Sequence, residues 1–444
     1  MMNNSSMPRE VQQSVSVSDT KYDEQDSDLL INNLIYEMPK ALSLATGRTH
    51  VKQYPQRNTY NVDRNTTMVF DWNTGNSYID AKNSYLTFKM RAINPNVQIP
   101  LAPVFGTGSA LNLFREVRIR SRSGVELSRL ENCNVYNKNR LDYTMTPAWK
   151  SSIGRSFFYD VNIYPFTADN IKIPTVTIPL CEIDSFFRPL KGQLIPAQLA
   201  SGLRIELSME SLQKAFVDPL GWLTPATVEL FDISMVLDTV NLSDETSKLL
   251  NLESSQSGLE YCYPRVYNFS NVYQAGTSNF SLQITKSVSQ AVHVHACIQN
   301  SDAVNSPTAD SLASESWKIT SYQWRLGSQY YPHQALIMST GNGESDSYEA
   351  YMLTMSSYNK ISTPFKESRV EADDYYNNKG VISTSLERNQ SLQISGSPIN
   401  NSRILELLVE RDGSSDGNSK VEVNSFLEYV SVCKAYIDNV AVAI

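Results

Sequence analysis

From residue 66 onward, apolar and polar residues alternate in short runs that are separated by Gly, Pro and Asn. This period of two predicts β-strands, each with one apolar face. Six runs lie in the first half of the chain: Met68–Trp72, Tyr85–Ala92, Phe114–Ser121, Ile173–Leu180, Leu203–Met209 and Val228–Val240. Eight follow in the second half: Glu260–Phe269, Phe280–Lys286, Ala291–Gln299, Trp317–Leu326, Val381–Leu386, Ser391–Ser395, Arg403–Glu410 and Leu427–Ile437. Many short strands with turn residues between them predict an all-β protein of sandwiches or barrels.

Two helices are predicted between these strands. Ser243 is a capping residue for a helix that runs to about Leu252, and acidic residues in its first turn complement the helix dipole. A second helix is indicated by apolar residues at helical spacing, and Pro364 prevents its continuation. Its apolar positions are Tyr348, Tyr351, Met352, Met355 and Tyr358.

Two pairs of segments repeat at an offset of 200 residues. Leu203–Glu210 aligns with Arg403–Glu410, and Val236–Val240 aligns with Tyr436–Val440. We therefore expect the last two strands of each half to be equivalent, so that the chain contains two copies of one β-fold.

The chain length of 444 residues is too great for one compact core, so two domains are expected. We predict a first sandwich at 36–242, a linker helix at 243–256 and a second sandwich at 257–444. Residues 1–35 are predicted to be a flexible acidic arm, because residues 1–28 hold six acidic and two basic side chains, a net charge of −4. Its apolar segment Leu29–Ile35 is either a docking segment or packs on its own domain.

Composition excludes several classes of function. The net charge of −8 argues against a protein that coats nucleic acid, because such proteins neutralise phosphates with basic residues. The five scattered cysteines indicate reduced, buried thiols in a cytosolic or nuclear protein. The N-terminus lacks the profile of a secretory signal, and no apolar run is long enough to span a membrane.

The sequence predicts no catalytic, cofactor-binding or metal-binding residues. His293 and His295 lie on one face of a predicted strand, but two ligands without an adjacent acidic residue are weak support for a metal site. Gly106–Ser109 lacks the Lys and third Gly of nucleotide-binding loops, so it is expected to be an ordinary loop. Asp373 and Asp374 are expected to be solvated rather than a catalytic pair.

A basic stripe is formed at strand spacing by Arg118, Arg120 and Arg122. Two interpretations stay open at this point. The arginines either pair with acidic residues of a neighbouring subunit or form a solvated strand face.

Three segments resemble parts of double jelly-roll major capsid proteins of double-stranded DNA viruses. Leu194–Leu199, which leads into Gly202–Leu207, is similar to the segment before the penultimate strand of their first jelly roll. Tyr322–Pro332 resembles a second-half motif of capsid proteins from polinton-like viruses and virophages, a lineage that includes the nucleocytoplasmic large DNA viruses. Phe114–Ile119 resembles their early first-half strand.

This resemblance implies two tandem eight-stranded jelly-roll sandwiches with short helical insertions. It also implies a homotrimer that forms a pseudo-hexagonal capsomer of an icosahedral shell, assembled in the host cytoplasm or nucleus. The implied partners are neighbouring capsomers and penton and minor or cement proteins, above an internal membrane in some virions, without direct sequence-specific nucleic-acid binding. The alternatives are a minor capsid or vertex protein, a carbohydrate-binding fibre or lectin-like sandwich, and a glycoside hydrolase, which needs two carboxylates in one cleft.

Overall fold

The computed structural model describes residues 45–93, 105, 107–159, 175–190, 192–217, 227–306, 308–314, 319–338, 348–358, 370–389, 395–411, 420–436 and 440–443. Residues Ala45–Ile444 form one compact unit. The predicted N-terminal arm, residues 1–35, lies outside the described residues.

In this described part, strands of the first half are β1 (Ala45–Gln53), β2 (Thr59–Asn61), β3 (Thr67–Asp71), β4 (Tyr78–Ile93), β5 (Phe114–Arg120), β6 (Glu126–Glu131), β7 (Thr175–Pro179), β8 (Arg204–Met209) and β9 (Thr227–Leu242). The second half contains β10 (Leu259–Tyr273), β11 (Asn279–Ile284), β12 (Val288–Asn300), β13 (Ile319–Leu326), β14 (Gln329–Ile337), β15 (Ile382–Ser385), β16 (Ser397–Ile399), β17 (Leu405–Arg411), β18 (Val421–Ala435) and β19 (Val440–Ala443).

The described α-helices are mostly short. They are α1 (Cys133–Thr144), α2 (Pro147–Ser151), α3 (Leu180–Ile183), α4 (Ala197–Ala200), α5 (Leu212–Ala215), α6 (Asp244–Gln256), α7 (Glu349–Ser357) and α8 (Ala372–Asn377). Single 3-10 turns add Ala110–Leu113, Ile153–Phe157, Ser185–Phe187 and Ala303–Asn305.

The first half forms two antiparallel sheets. One has the order β1-β9-β4-β7, with β2 also paired to β9, and the other has the order β3-β8-β5-β6. Their apolar faces meet, as the edge-to-face contact of Phe88 on β4 with Phe114 on β5 illustrates at 6.3 Å between ring centroids. We call this pair of sheets the first sandwich.

The second half repeats this strand order. Its sheets run β10-β18-β12-β15 and β11-β17-β13-β14, with β16 added to β12 and β19 to β18. Strand for strand, the eight principal positions match those of the first sandwich. This arrangement, in which each half has two packed sheets with four principal strands each, confirms the predicted all-β fold of two tandem jelly rolls with helical insertions. We call this pair the second sandwich.

One part of the repeat is confirmed and the other is wrong. Strands β8 and β17 hold equivalent places, as the first aligned pair requires. The second pair fails, because Val236–Val240 lies inside β9, whereas Tyr436 follows the end of β18. The connection before the last strand has 17 residues in the first half (210–226) but nine in the second (412–420), so the offset of 200 does not extend into that strand.

Both predicted helices are confirmed, whereas α1 to α5 and α8 were not predicted. Ser243 caps α6 by accepting a 3.3 Å hydrogen bond from the Thr246 N–H, and α7 lies within the second predicted helix. The predicted strand Ser391–Ser395 lies outside the described residues except for Ser395, which is not in a strand. Strands β1, β2, β6, β14, β16 and β19 were not predicted, because they are short or because polar residues interrupt the alternation.

Candidate functional site

Helix α1 is a buried helix of polar sequence at the centre of the described unit. Its residues from Cys133 to Tyr143 are all buried, although asparagine, lysine, arginine and aspartate are among them. Lys138 pairs with Asp142 at 3.6 Å, and Arg140 forms an ion pair with Glu182. Partners of opposite charge compensate part of the cost of burying these groups, which explains how a polar helix occupies an interior position.

Side-chain hydrogen bonds join the first sandwich, with its helices, to the second. Five of them have a tyrosine hydroxyl or an asparagine amide as donor and an oxygen of the opposite half as acceptor. The pairs are Tyr136 to Glu428 (3.0 Å), Asn132 to Asn424 (2.8 Å), Tyr143 to the Lys379 carbonyl (2.8 Å), and, in the other direction, Tyr261 to the Phe186 carbonyl (2.7 Å) and Tyr263 to the Leu127 carbonyl (2.6 Å). Such directional bonds fix the orientation of the two sandwiches.

Next to α1, two histidines and a glutamate lie together on strands β12 and β18 of the second sandwich. The antiparallel register of β12 and β18 places Glu428 opposite His293 and Phe426 opposite His295. One ligand atom from each of His293, His295 and Glu428 lies within 4.8 Å of the others. No acidic cluster is adjacent to these histidines in the sequence, and the structure corrects the expectation drawn from that, because strand pairing places Glu428 beside His293.

The surroundings set the charges of this cluster. Burial and repulsion from His293 lower the pKa of His295 to about 3, so its imidazole is neutral at physiological pH. Burial acts to raise the pKa of the Glu428 carboxyl, but the hydrogen bond and charge of His293 outweigh it and bring the pKa to about 2. Glu428 is therefore ionised, and its side chain is 22 % exposed.

Two polar groups in the cluster have no hydrogen-bond partner. Both ring nitrogens of His295 are buried and unpaired, as is the hydroxyl of Tyr358. The Tyr358 ring lies 4.6 Å from that of His293, and the Tyr136 ring stacks on His295 at 5.7 Å. An unpaired buried polar group costs about 1–3 kcal/mol of stability. The buried, unpaired imidazole of His295 therefore requires a specific explanation.

Arg118 and Arg120 of the arginine stripe are paired with acidic residues of their own sheet. Arg118 contacts Glu116 at 3.1 Å, Glu126 at 3.6 Å and Glu206 at 4.0 Å, and Arg120 contacts Glu206 at 3.6 Å. The acidic partners lie on the same chain, which removes the need for acidic residues of a neighbour.

The other sequence motifs have structural positions. Ser109 of the glycine-rich loop caps the 3-10 turn Ala110–Leu113, and the Thr107 N–H donates to Asp310 at 2.6 Å. Asp373 is exposed on α8, and Asp374 pairs with Lys379 at 3.3 Å. All five cysteines are free thiols, and four are buried.

Strand β14 is an edge strand that is largely exposed. It pairs only with β13 in its sheet, and Tyr330 and Ile337 on it are 42 % and 55 % exposed. An apolar edge of this kind is a site for contact with other chains.

Comparison with solved structures places this fold among viral capsid proteins. PBCV-1 VP54, in a crystal structure fitted into a reconstruction of the virophage Sputnik, matches with a TM-score of 0.61 and 12 % identity over 90 % of this chain and 96 % of that chain. The structure of the Sputnik virophage matches at 0.54, with 10 % identity over 100 % and 95 %. The mavirus major capsid protein matches at 0.53, with 9 % identity over 100 % and 97 %.

The chain therefore has the double jelly-roll fold that these major capsid proteins share. No protein-family model and no curated protein matches it by sequence. Among the described residues, no helix has the length and apolar character that crossing a membrane requires.

Proposed function

We propose that this chain is a structural major capsid protein of an icosahedral double-stranded DNA virus, with homotrimeric, pseudo-hexagonal capsomers as its building block. The observation that carries the proposal is the repeated strand order. Two sandwiches with the same eight principal strands, joined by hydrogen bonds of which those of Tyr261 and Tyr263 are buried, extend over the described chain. That arrangement agrees with the known capsid proteins over 90 % or more of this chain.

The tandem arrangement gives a geometrical reason for the trimer. Three chains with two similar sandwiches each place six similar units around one axis. The resulting capsomer has a nearly hexagonal outline, and hexagonal units tile a surface. The polar bonds between the sandwiches favour this role, because a capsomer must present its edges at fixed angles. Contacts between capsomers are individually weak and become strong through their number.

The exposed edge strand supports association between chains. Within the part of the chain that the structure describes, Tyr330 and Ile337 on β14 leave an apolar strand edge exposed. We infer that a second copy covers this edge in the capsomer, because uncovered edges promote unspecific aggregation.

Partners and location follow from the same proposal. The protein is placed in the virion shell, next to further capsomers and to penton and minor or cement proteins. The net charge of −8 favours genome contact through another protein or an internal membrane rather than through this chain. The role is structural, and no catalytic step is assigned to any residue.

Sedimentation of the purified protein tests the proposal. We expect a stable species with three times the 49.9 kDa mass of the chain at micromolar concentration. A double variant, Tyr330→Glu with Ile337→Glu, is expected to weaken this species without unfolding the chain, whereas Tyr54→Glu at another exposed position leaves it intact. A stable wild-type monomer contradicts the proposal.

A further inference from the structure

We propose that His293, His295 and Glu428 bind one Zn²⁺ ion, which links strands β12 and β18 of the second sandwich. This site goes beyond the proposed capsid role and does not depend on it. Imidazole and carboxylate groups form a donor set that suits zinc, and three such ligands leave a fourth position for water.

The hydrogen bonds of His293 give the first reason. The Ser357 hydroxyl donates to the Thr354 carbonyl at 2.7 Å, so its oxygen accepts from the His293 Nε2–H, which lies 3.3 Å away. When His293 is neutral in this tautomer, the lone pair of Nδ1 faces the Glu428 Oε1 atom at 3.7 Å. Either a proton on Nδ1 or a metal ion removes the repulsion between these two acceptors, and a metal ion can at the same time satisfy His295.

His295 supplies the second reason. Its ring is fully buried, and neither ring nitrogen has a hydrogen-bond partner. It lies on the same strand face as His293, with 5.4 Å between ring centroids. A metal bond at one nitrogen satisfies a group that the protein otherwise buries without a partner.

The geometry fits after a small adjustment. Zinc bonds of about 2.0–2.2 Å place tetrahedral ligand atoms roughly 3.3–3.5 Å apart. The pair His293 Nδ1 and Glu428 Oε1 is close to that value at 3.7 Å, and the widest separation in the cluster does not exceed 4.8 Å. Side-chain movements that shift the ligand atoms by about 1 Å bring them to zinc-bonding distance. The partly exposed Glu428 provides a route by which the ion enters.

Two neighbouring residues hold the ligands in place. Ser357 orients His293 from the side away from the ion, and the Tyr136 hydroxyl donates to Glu428 at 3.0 Å. Such outer partners are usual around zinc, where they fix the tautomer and the rotation of each ligand. Because Tyr136 belongs to α1, zinc binding also stabilises the junction between the two sandwiches.

Zinc content and thermal unfolding of the full-length protein test the site. The protein is stripped with EDTA, dialysed and then given zinc chloride. We expect uptake of one zinc ion per chain and a rise in Tm of about 3 °C or more, because a ligand that binds only the folded state stabilises it. His295→Phe retains a ring among Tyr136 and Phe426 but removes both nitrogens. It is expected to fold with an unchanged or higher Tm in EDTA and to lower zinc affinity at least about tenfold.

Two further variants complete the design. Glu428→Gln, which removes the anionic ligand, should also lose zinc-dependent stabilisation, whereas His333→Gln, at an exposed histidine, should bind zinc as the wild type does. The proposal is overturned if wild-type protein takes up no zinc, which would mean that a proton alone bridges His293 and Glu428. It is equally overturned if His295→Phe retains wild-type zinc affinity and Tm shift.

Discussion

The hydroxyl of Tyr136 donates a 3.0 Å hydrogen bond to the carboxylate of Glu428, although the two residues are 292 positions apart in the chain. Tyr136 lies on the buried helix α1, and Glu428 lies on β18 of the second sandwich. This contact connects the two tandem sandwiches. It also connects the junction to the histidine cluster.

Tyr136→Phe removes this hydroxyl and preserves the ring. We expect the free energy of unfolding to fall by about 1–3 kcal/mol, because the partly buried Glu428 carboxylate loses a donor. Urea denaturation measures the change. Tyr54→Phe, at an exposed tyrosine, is the control and should change stability by less than about 0.5 kcal/mol. Equal effects of the two variants would contradict the role of the junction.

The equivalence of β8 and β17 predicts equal roles for Leu207 and Leu407. Both side chains are fully buried and point into the core of their own sandwich. Leu207→Ala and Leu407→Ala should each destabilise by about 2–5 kcal/mol in denaturant titration. Ile404→Ala, just before β17 and 42 % exposed, should cost far less. A small effect at only one of the two leucines would argue against equivalent cores.

The period-two alternation made most strands predictable, since each has one buried face. The leucine-rich runs at β8 and β17 even revealed the internal repeat. The burial of the helix α1 was not predictable in this way. A sequence such as Asn137-Lys138-Asn139-Arg140 is typical of a surface helix, and only the tertiary structure supplies Glu182 as the buried partner of Arg140.

The histidine cluster required information that one sequence does not contain. His293 and His295 were visible as a pair, but Glu428 is brought to them by the register between β12 and β18. One signal was present: Glu428 is a lone charge within the apolar run Phe426–Val430. The intramolecular partners of Arg118 were hidden for the same reason, because Glu206 reaches it through strand pairing.

The ion pair of Glu182 with Arg140 predicts loss of stability in acid. Burial acts to raise the pKa of Glu182, but the charge and hydrogen bond of Arg140 outweigh it and lower the pKa below its ordinary value of 4.5. The stabilisation is therefore complete above about pH 4.5 and is lost as the pH falls through the lower, folded-state pKa.

Glu182→Gln tests this pH dependence. At pH 7 the variant should be less stable by about 3–5 kcal/mol, because Arg140 is left buried without its partner, and the difference should shrink below pH 4.5. Urea midpoints at both pH values measure it. Asp373→Asn, at an exposed carboxylate, should follow the wild type throughout. A difference that persists unchanged in acid would contradict the assignment.

The arginine stripe provides a prediction about assembly. Because Arg118 is neutralised by three glutamates of its own sheet, Arg118→Gln should cost about 0.2–1 kcal/mol and leave the oligomeric state unchanged in sedimentation. Arg122→Gln, at an exposed position just after β5, should have no effect on either property. Loss of assembly by Arg118→Gln alone would show that the stripe contacts a neighbouring subunit.

Electron microscopy of the purified 444-residue chain distinguishes a capsid protein from the alternatives. The capsid account predicts trimeric particles with a pseudo-hexagonal outline that contain six sandwich-shaped densities, and closed shells or hexagonal arrays at high concentration. Each chain should contribute two of the six densities, with the β14 edge covered. Monomers, or oligomers without three-fold symmetry, at micromolar concentration would contradict the account.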